Sequence, residues 1–181
     1  MVSHENLLVT KRNGRGKESL NIEKIHSMVG FATEGITGVS ASHVEMNSGI
    51  QFFDGITTED IQQILIKSAN DLISLENPNY QYVAARLLLF SLRKRLFHRL
   101  WEHPKFLDHI KSCVEKGMYD KDILINYTEA EIDRLNGFID HERDYNFTYA
   151  GLRQVMDKYL VQDRSTGDIF ETPQSMYMMI A

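Results

Sequence analysis

The chain has 181 residues, of which 43% are hydrophobic and 25% charged, as expected for a folded globular protein of one domain or slightly more. Its 11 glycines, 3 prolines and single cysteine, Cys113, exclude a collagen-like sequence and a disulfide scaffold. The 20 basic and 25 acidic residues give a net charge of −5, which argues against a nucleic-acid clamp formed by the whole chain.

The first predicted elements are a β-hairpin and a helix. Residues 7–10 are extended in character, residues 13–16 have turn chemistry, and residues 19–22 are predicted to return as the second strand. Asn21 is placed to cap a helix whose apolar side chains recur at spacings of three and four. The chain is therefore predicted to begin with a hairpin that leads into an amphipathic helix.

Three more helices are predicted in the first hundred residues. Residues 42–45 have the spacing of a capping box ahead of a short helix, and Thr57 opens a longer one. Residues 77–78, Asn-Pro, are typical of an N-cap and first helical position, and the helix that follows is predicted to extend as far as Trp101. Residues 5–100 thus form a hairpin and four helices with a core of their own.

Weaker helical signals continue to the last residue. A helix is predicted over residues 106–115, a capping box at 128–131, a helix over 148–160 and a hairpin over 161–172. Pro173 begins a short apolar helix, which needs a partner surface because a helix this short is marginal alone. We therefore expect this second part to belong to a larger fold.

No targeting or membrane segment is predicted. The N-terminus lacks a positively charged region followed by an apolar run. The longest apolar stretch, residues 83–92, is interrupted by Arg86 and is far shorter than the ~20 residues of a membrane span. We expect a soluble protein of the cytoplasm.

Two basic clusters are candidate anion sites. The first consists of Lys11, Arg12, Arg15, Lys17 and Lys24, on the hairpin and in the first turn of the next helix. Cations beside a helix N-terminus suit phosphates, but the same pattern is typical of a solvated hairpin. The second, residues 93–95 with Arg99, either complements the negative end of its helix or binds phosphate or nucleic acid.

Other residues of catalytic type form no recognisable site. Gly14, Gly16 and Lys17 do not make a phosphate-binding P-loop, because the glycine that must open the motif is absent. The seven histidines form no metal-binding pair, and residues 141–144 are interpreted as a local cluster of ion pairs. Cys113 lies on an apolar helix face and is interpreted as a core thiol.

Seven motifs carry a resemblance to one known family. They lie at residues 6–14 (NLLVTKRNG), 54–61 (DGITTEDI), 79–87 (NYQYVAARL), 140–144 (DHERD), 147–149 (FTY), 158–161 (KYLV) and 166–174 (TGDIFETPQ). With these motifs the chain resembles, over essentially all of its length, the large catalytic subunit of class I aerobic ribonucleotide reductases. It is close to the bacterial and T4-like phage forms.

The resemblance implies a mainly α fold with two parts. Residues 5–100 would form an ATP-cone, a β-hairpin cap on a four-helix bundle that binds ATP as activator and in many members dATP as inhibitor, with Mg2+ and no covalent cofactor. Residues 101–181 would be the helical start of the reductase α/β-barrel domain, which is incomplete here.

The resemblance also assigns a nucleotide site that unites the two basic clusters. The residues that match nucleotide contacts are Val9, Lys11, Arg12, Glu18, Ser19, Leu20, Asn21, Ile22, Glu23, Lys24, Ile25, Thr58, Phe90 and Lys94. The sequence departs from the family pattern in a hairpin turn that is one residue longer. It also has Gln62 where some dATP-inhibited members have histidine, so ATP binding is the firmer expectation.

In this family the redox-active cysteines lie further along the chain than Ala181, and Cys113 matches none of them. We therefore expect no catalytic residue and no metal site here. The chain would be the regulatory part of a thioredoxin- or glutaredoxin-dependent oxidoreductase, inactive alone and either truncated or, as we favour, one piece of a split subunit.

The resemblance further implies partners and a location. Expected partners are the remaining catalytic part of the large subunit, the radical-generating small (beta) subunit and a second alpha subunit, without nucleic acid or membrane, in a bacterial or phage-infected cell. The alternative is a free-standing nucleotide-sensing ATP-cone regulator or interaction module. Such regulators carry a zinc ribbon, whose cysteines are absent from this sequence.

Overall fold

The computed structural model describes residues 7–11, 16–49, 51–98 and 102–181. Over these residues the chain is mainly helical with two short antiparallel hairpins, which confirms the predicted fold class. It divides into two compact units, Met1–Leu88 and Leu89–Ala181. The domain boundary near residue 100 stays a prediction. No helix among the described residues combines the length and the apolarity that crossing a membrane requires.

The first unit contains the N-terminal hairpin and the helices predicted to follow it. Its elements are β1 (Leu8–Thr10), β2 (Lys17–Ser19), α1 (Ile22–Thr33), α2 (Ala41–Gly49), α3 (Thr58–Asp71) and the first part of α4 (Tyr80–Phe97). The strands are antiparallel, with Thr10 opposite Lys17. The second strand therefore lies earlier than the predicted 19–22, because Asn21 already caps α1. The predicted turn at 13–16 lies largely outside the described residues.

Side-chain caps explain where two of these helices begin. The side-chain oxygen of Asn21 accepts a hydrogen bond from the backbone N–H of Lys24 at 2.9 Å, and that of Thr57 accepts one from Asp60 at 3.0 Å. Both caps were predicted. The capping box at residues 42–45 is wrong, because both of its members lie inside α2, which begins at Ala41.

The predicted ends of α4 are also corrected. The helix begins at Tyr80 instead of directly after Asn77, because Pro78 first enters a turn in which its carbonyl accepts the N–H of Gln81 at 3.2 Å. It ends at Phe97, short of the predicted residue 101, and His98 follows with φ +58°. A non-glycine residue rarely adopts this left-handed conformation, which ends a helix.

The core of the first unit is drawn from every helix. Fully buried apolar side chains include Val29, Ala32, Val44, Leu65, Ala69, Val83, Ala84 and Leu87. Pairs such as Val29 and Ala32, or Leu65 and Ala69, are three or four positions apart, as in an amphipathic helix packed by one face. The hairpin adds Val9, which is 3% exposed, so β1 is fixed to this core.

The second unit continues α4 and adds short elements. They are α5 (Phe106–Glu115), α6 (Asp122–Asn126), α7 (Glu129–Leu135), 3-10 segments at Asn136–Phe138 and His141–Asn146, α8 (Tyr149–Lys158), β3 (Gln162–Asp163), β4 (Asp168–Ile169) and α9 (Pro173–Ile180). The predicted capping box at Thr128 and Glu131 is confirmed, as are the hairpin and the helix that begins at Pro173. Cys113 is 2% exposed and lies in the core, as predicted.

Candidate functional site

The N-terminal hairpin is fixed in place by the loop that precedes α3. The N–H of Leu8 donates to the carboxylate of Asp54 at 2.8 Å, and Gly55 donates to the carbonyl of Leu8 at 2.8 Å. The N–H of Thr10 then donates to the carbonyl of Ile56 at 2.9 Å. Together with an isolated parallel bridge between Thr10 and Thr57, these bonds place the N-terminus of α3 beside the end of β1.

Gly55 makes this loop possible. Its φ of +83° lies in the region that side chains with a Cβ rarely adopt. The carbonyl of Gly55 also accepts a hydrogen bond from the hydroxyl of Thr10 at 3.1 Å. Both the N–H and the carbonyl of Gly55 are therefore bonded to β1. The pairing of β1 with this loop had no signal in the sequence that we recognised, and it is what brings Thr58 towards the hairpin.

The start of α1 is joined to the same hairpin. The N–H of Leu20 donates to the carbonyl of Leu7 at 2.8 Å, and only Asn21 then separates the strand pair from the helix. The first turn of α1 contains Lys24, which is exposed. The free N–H groups of a helix N-terminus carry partial positive charge, and they attract anions such as phosphate.

A lysine and a glutamate of the predicted site are in contact across the hairpin. Lys11 Nζ lies 2.9 Å from Glu18 Oε2, and both side chains are partly exposed. The hydrogen bond from Lys11 lowers the pKa of Glu18 below its ordinary value, and the positive charges of Lys11 and Lys24 lower it further. Lys11, Glu18 and Lys24 therefore form one electrostatic group on the hairpin and the first turn of α1.

The first unit brings together most of the residues that the resemblance assigns to the nucleotide. Val9 and Ile25 are buried, Glu18, Leu20 and Thr58 are half-buried, and Lys11, Ser19, Asn21, Ile22, Glu23 and Lys24 are exposed. Arg12 lies outside the described residues. Phe90 and Lys94 lie on the part of α4 that belongs to the second unit, so their predicted contacts with nucleotide stay predictions.

Gln62 has a structural role in the first unit. Its side chain is 2% exposed, and its Nε2 donates to the backbone carbonyl of Leu87 at 3.0 Å. This bond joins α3 to α4 within the first unit. The amide of Gln62 is therefore already engaged in a hydrogen bond within the protein.

The second basic cluster is not a uniformly solvated face. Arg93 is 2% exposed, whereas Arg95 on the same helix is exposed and lies 3.7 Å from Asp168.

The interpretation of residues 141–144 as a local cluster of ion pairs is wrong for two of the four residues. His141 stacks on His103 with 3.6 Å between ring centroids, and Asp144 is buried near Arg93. These contacts join residues that are distant in the chain, and no local pattern indicates them.

No group of three His, Cys, Asp or Glu side chains within the described ranges is arranged to hold a metal ion. The candidate site in the first unit combines lysines and a glutamate, a helix N-terminus and apolar side chains. That combination suits a ligand with a charged phosphate end and an apolar end.

Comparisons with known proteins agree with this chemistry. The ATP cone domain family matches residues 7–95, and the family of the ribonucleotide reductase all-alpha domain matches residues 145–181. The chain is 49% identical over 178 residues to the ribonucleoside-diphosphate reductase 1 subunit alpha of Escherichia coli K12, covering 98% of this chain and 23% of that protein.

Two further relatives carry the name ribonucleoside-diphosphate reductase subunit alpha. The protein of Enterobacteria phage T4 is 46% identical over 163 residues, covering 90% of this chain and 21% of the relative. That of Helicobacter pylori is 40% identical over 181 residues, covering 97% and 21%. The chain thus spans less than a quarter of the length of the curated relatives it matches.

Proposed function

We propose that this chain binds ATP as an allosteric activator of a ribonucleoside-diphosphate reductase, because residues 7–95 match the ATP cone domain family and the chain is similar to the alpha subunits of such enzymes. The observation that carries the proposal is the group formed by Lys11, Glu18 and Lys24 beside the capped N-terminus of α1. Two ammonium groups and the N-terminus of a helix are the groups that would hold a triphosphate.

The residues of the proposed site divide by chemistry. Lys11, Arg12, Lys24 and Lys94 would contact phosphate oxygens, because charge-assisted hydrogen bonds to phosphate are strong. The apolar side chains would contact the base, and they are Val9, Leu20, Ile22, Ile25 and Phe90. The remaining polar residues would contact the ribose and base through hydroxyl, amide, carboxylate or backbone groups, and they are Glu18, Ser19, Asn21, Glu23 and Thr58.

ATP is proposed as the main effector and dATP as a second ligand of the same site. A dATP molecule keeps the triphosphate and the base, so the contacts of Lys11 and Lys24 serve both nucleotides. Mg2+ would enter with the nucleotide, because magnesium retains water and phosphate oxygens as ligands and needs few from the protein. Glu18, whose carboxylate lies 2.9 Å from Lys11 Nζ, is the residue proposed for this role.

The proposed enzyme reduces ribonucleotides to deoxyribonucleotides in the cytoplasm. This chain would supply the regulatory domain and the first helices of the all-alpha domain. The partners would be the catalytic remainder of the alpha subunit, the radical-generating beta subunit and a second alpha subunit. The sequence similarity to alpha subunits over 98% of the chain supports this assembly.

Calorimetric titration of ATP into the chain tests the proposal. Lys11→Ala should weaken binding by roughly tenfold to a hundredfold, since a hydrogen bond to a charged group contributes about 1.5–3 kcal/mol. Lys67→Ala is the matched control, because Lys67 is also an exposed lysine paired with a carboxylate, Asp71 at 3.7 Å. It should leave the affinity unchanged. Equal affinity of both variants would place the nucleotide elsewhere.

A further inference from the structure

Helix α4 is held firmly by the first unit over its first half. The hydroxyl of Tyr80 accepts the N–H of Ser40 at 3.0 Å, and the guanidinium of Arg86 donates to the carbonyl of Glu34 at 2.6 Å. The carbonyl of Leu87 accepts the side chain of Gln62. Two segments of the first unit, the loop between α1 and α2 and helix α3, therefore fix the position of this helix, which continues without a break to Phe97.

The second half of α4 contains a buried cation, Arg93. The guanidinium of Arg93 donates to the hydroxyl of Tyr145 at 2.9 Å and to the backbone carbonyl of His141 at 2.6 Å. It also lies 5.0 Å from the centre of the Tyr145 ring and 3.9 Å from the carboxylate of Asp144. All these partners belong to the 3-10 segment His141–Asn146.

This segment is in turn bonded to α9. The amide of Gln174 donates to Asp144 Oδ1 at 3.0 Å. Phe90 packs edge-on against the ring of Tyr145, with 6.2 Å between the ring centroids. A continuous set of polar and ring contacts therefore runs from α4 through the 3-10 segment to α9, entirely within the second unit.

A buried cation makes this set of contacts cooperative. Arg93 and Asp144 are both at most 2% exposed, and removing one partner of a buried charge leaves the other without compensation. A movement of α4 must then carry the 3-10 segment with it. Arg93 also lies between Phe90 and Lys94, the two α4 residues that the family resemblance assigns to the nucleotide.

We propose that Arg93 is the positioning residue through which nucleotide binding is transmitted from α4 to residues 141–146 and to α9. The inference rests on the proposed function, because it takes ATP as the ligand of the first unit. In this proposal the first half of α4 is held by hydrogen bonds to the first unit. The second half positions residues 141–146 through Arg93.

Amide hydrogen exchange on the full chain, with and without saturating ATP, tests this inference. In the unmodified chain ATP should slow exchange in residues 141–146 and 173–180 by about twofold or more, as expected when local opening is suppressed. Arg93→Gln should bind ATP with nearly unchanged affinity by calorimetry but lose the slowing in both segments. Arg95→Gln is the matched control, since it removes the same charge from the exposed side of α4, and it should retain the response.

The outcomes separate the inference from the proposed function. Failure of the unmodified chain to bind ATP would overturn the proposed function. ATP binding without slower exchange in residues 141–146, or an unchanged response in a folded Arg93→Gln variant, would overturn the coupling alone. If Arg93→Gln does not fold, Gln174→Ala decides, since it removes only the bond to α9. It should keep the response in 141–146 and lose it in 173–180, and retention of both would overturn the coupling.

Discussion

Acidification should destabilise the second unit, because three of its histidines are held uncharged. Burial lowers the pKa of His103 to about 3, and it lowers the pKa of His109 and of His141 to about 4. The charge of the neighbouring His141 acts in the same direction on His103. In the unfolded chain these imidazoles would take up protons near their ordinary pKa of 6.5. The unfolded chain therefore binds more protons from these groups as the pH falls.

Two buried acids act in the opposite direction. Burial raises the pKa of Asp144 to about 6 and also raises the pKa of Glu171, whose carboxylate accepts the hydroxyl of Tyr119 and the N–H of Val161. At pH values between the ordinary pKa of each acid and its raised pKa in the folded chain, the folded chain binds a proton that the unfolded chain does not. These two acids therefore favour folding as the pH falls. Because three imidazoles outnumber two carboxyls, the net effect of acidification is to lower the free energy of unfolding.

The size of the effect follows from proton linkage. The unfolded chain binds about one to two protons more than the folded chain near pH 5, and each contributes roughly 1.4 kcal/mol per pH unit. Because His103 and His141 are only partly buried, solvent screening reduces this value. We expect the free energy of unfolding to fall by about 1–2 kcal/mol between about pH 6 and pH 5.

Urea denaturation followed by far-ultraviolet circular dichroism measures this fall. His109→Gln should reduce the slope, because the variant loses one titrating imidazole and keeps a polar group near the hydroxyl of Tyr119, which lies 3.3 Å from His109 Nε2. A free energy of unfolding that stays constant or rises on acidification would refute the reasoning. An unchanged slope in His109→Gln would show that His109 is not one of the groups responsible.

Three other predictions concern single residues. Lys11→Ala should raise the pKa of Glu18 towards 4.5 in an NMR titration, because the hydrogen bond that lowers it is lost, and an unmoved pKa would contradict the contact. Gly55→Ala should lower the free energy of unfolding by roughly 1–2 kcal/mol because φ is +83°, whereas the helical control Gly30→Ala should not destabilise the chain. Cys113, with a pKa raised to about 11 by burial, should react with a thiol reagent only after denaturation, and rapid reaction in the folded chain would contradict its burial.

Local patterns predicted the helices whose caps are made within one turn. Asn21, Thr57 and Thr128 each accept a backbone N–H three residues ahead, so the sequence pattern contains the whole interaction. The same pattern misled at Ser42, because α2 begins one residue earlier and includes it. A capping pattern indicates which residues can cap, but tertiary packing determines where the helix begins.

The candidate site was predictable to the extent that its residues are adjacent in the chain. Lys11, Glu18 and Lys24 lie on one hairpin and the helix that it leads into, so a basic cluster was recognisable. The resemblance to a known family then assigned it to a nucleotide. The pairing of β1 with the loop at Gly55, and the burial of Arg93, depend on contacts between distant segments. Neither follows from hydrophobic periodicity or charge spacing.

Heteronuclear NMR of the full chain during titration with ATP tests the central claim most directly. The account predicts that amide signals shift in a saturable manner at Lys11, Glu18 and residues 21–25, which surround the N-terminus of α1. The same titration of Lys11→Ala should need a much higher ATP concentration. Saturable shifts that leave the hairpin and the first turn of α1 unchanged, or no shifts at all, would contradict the account.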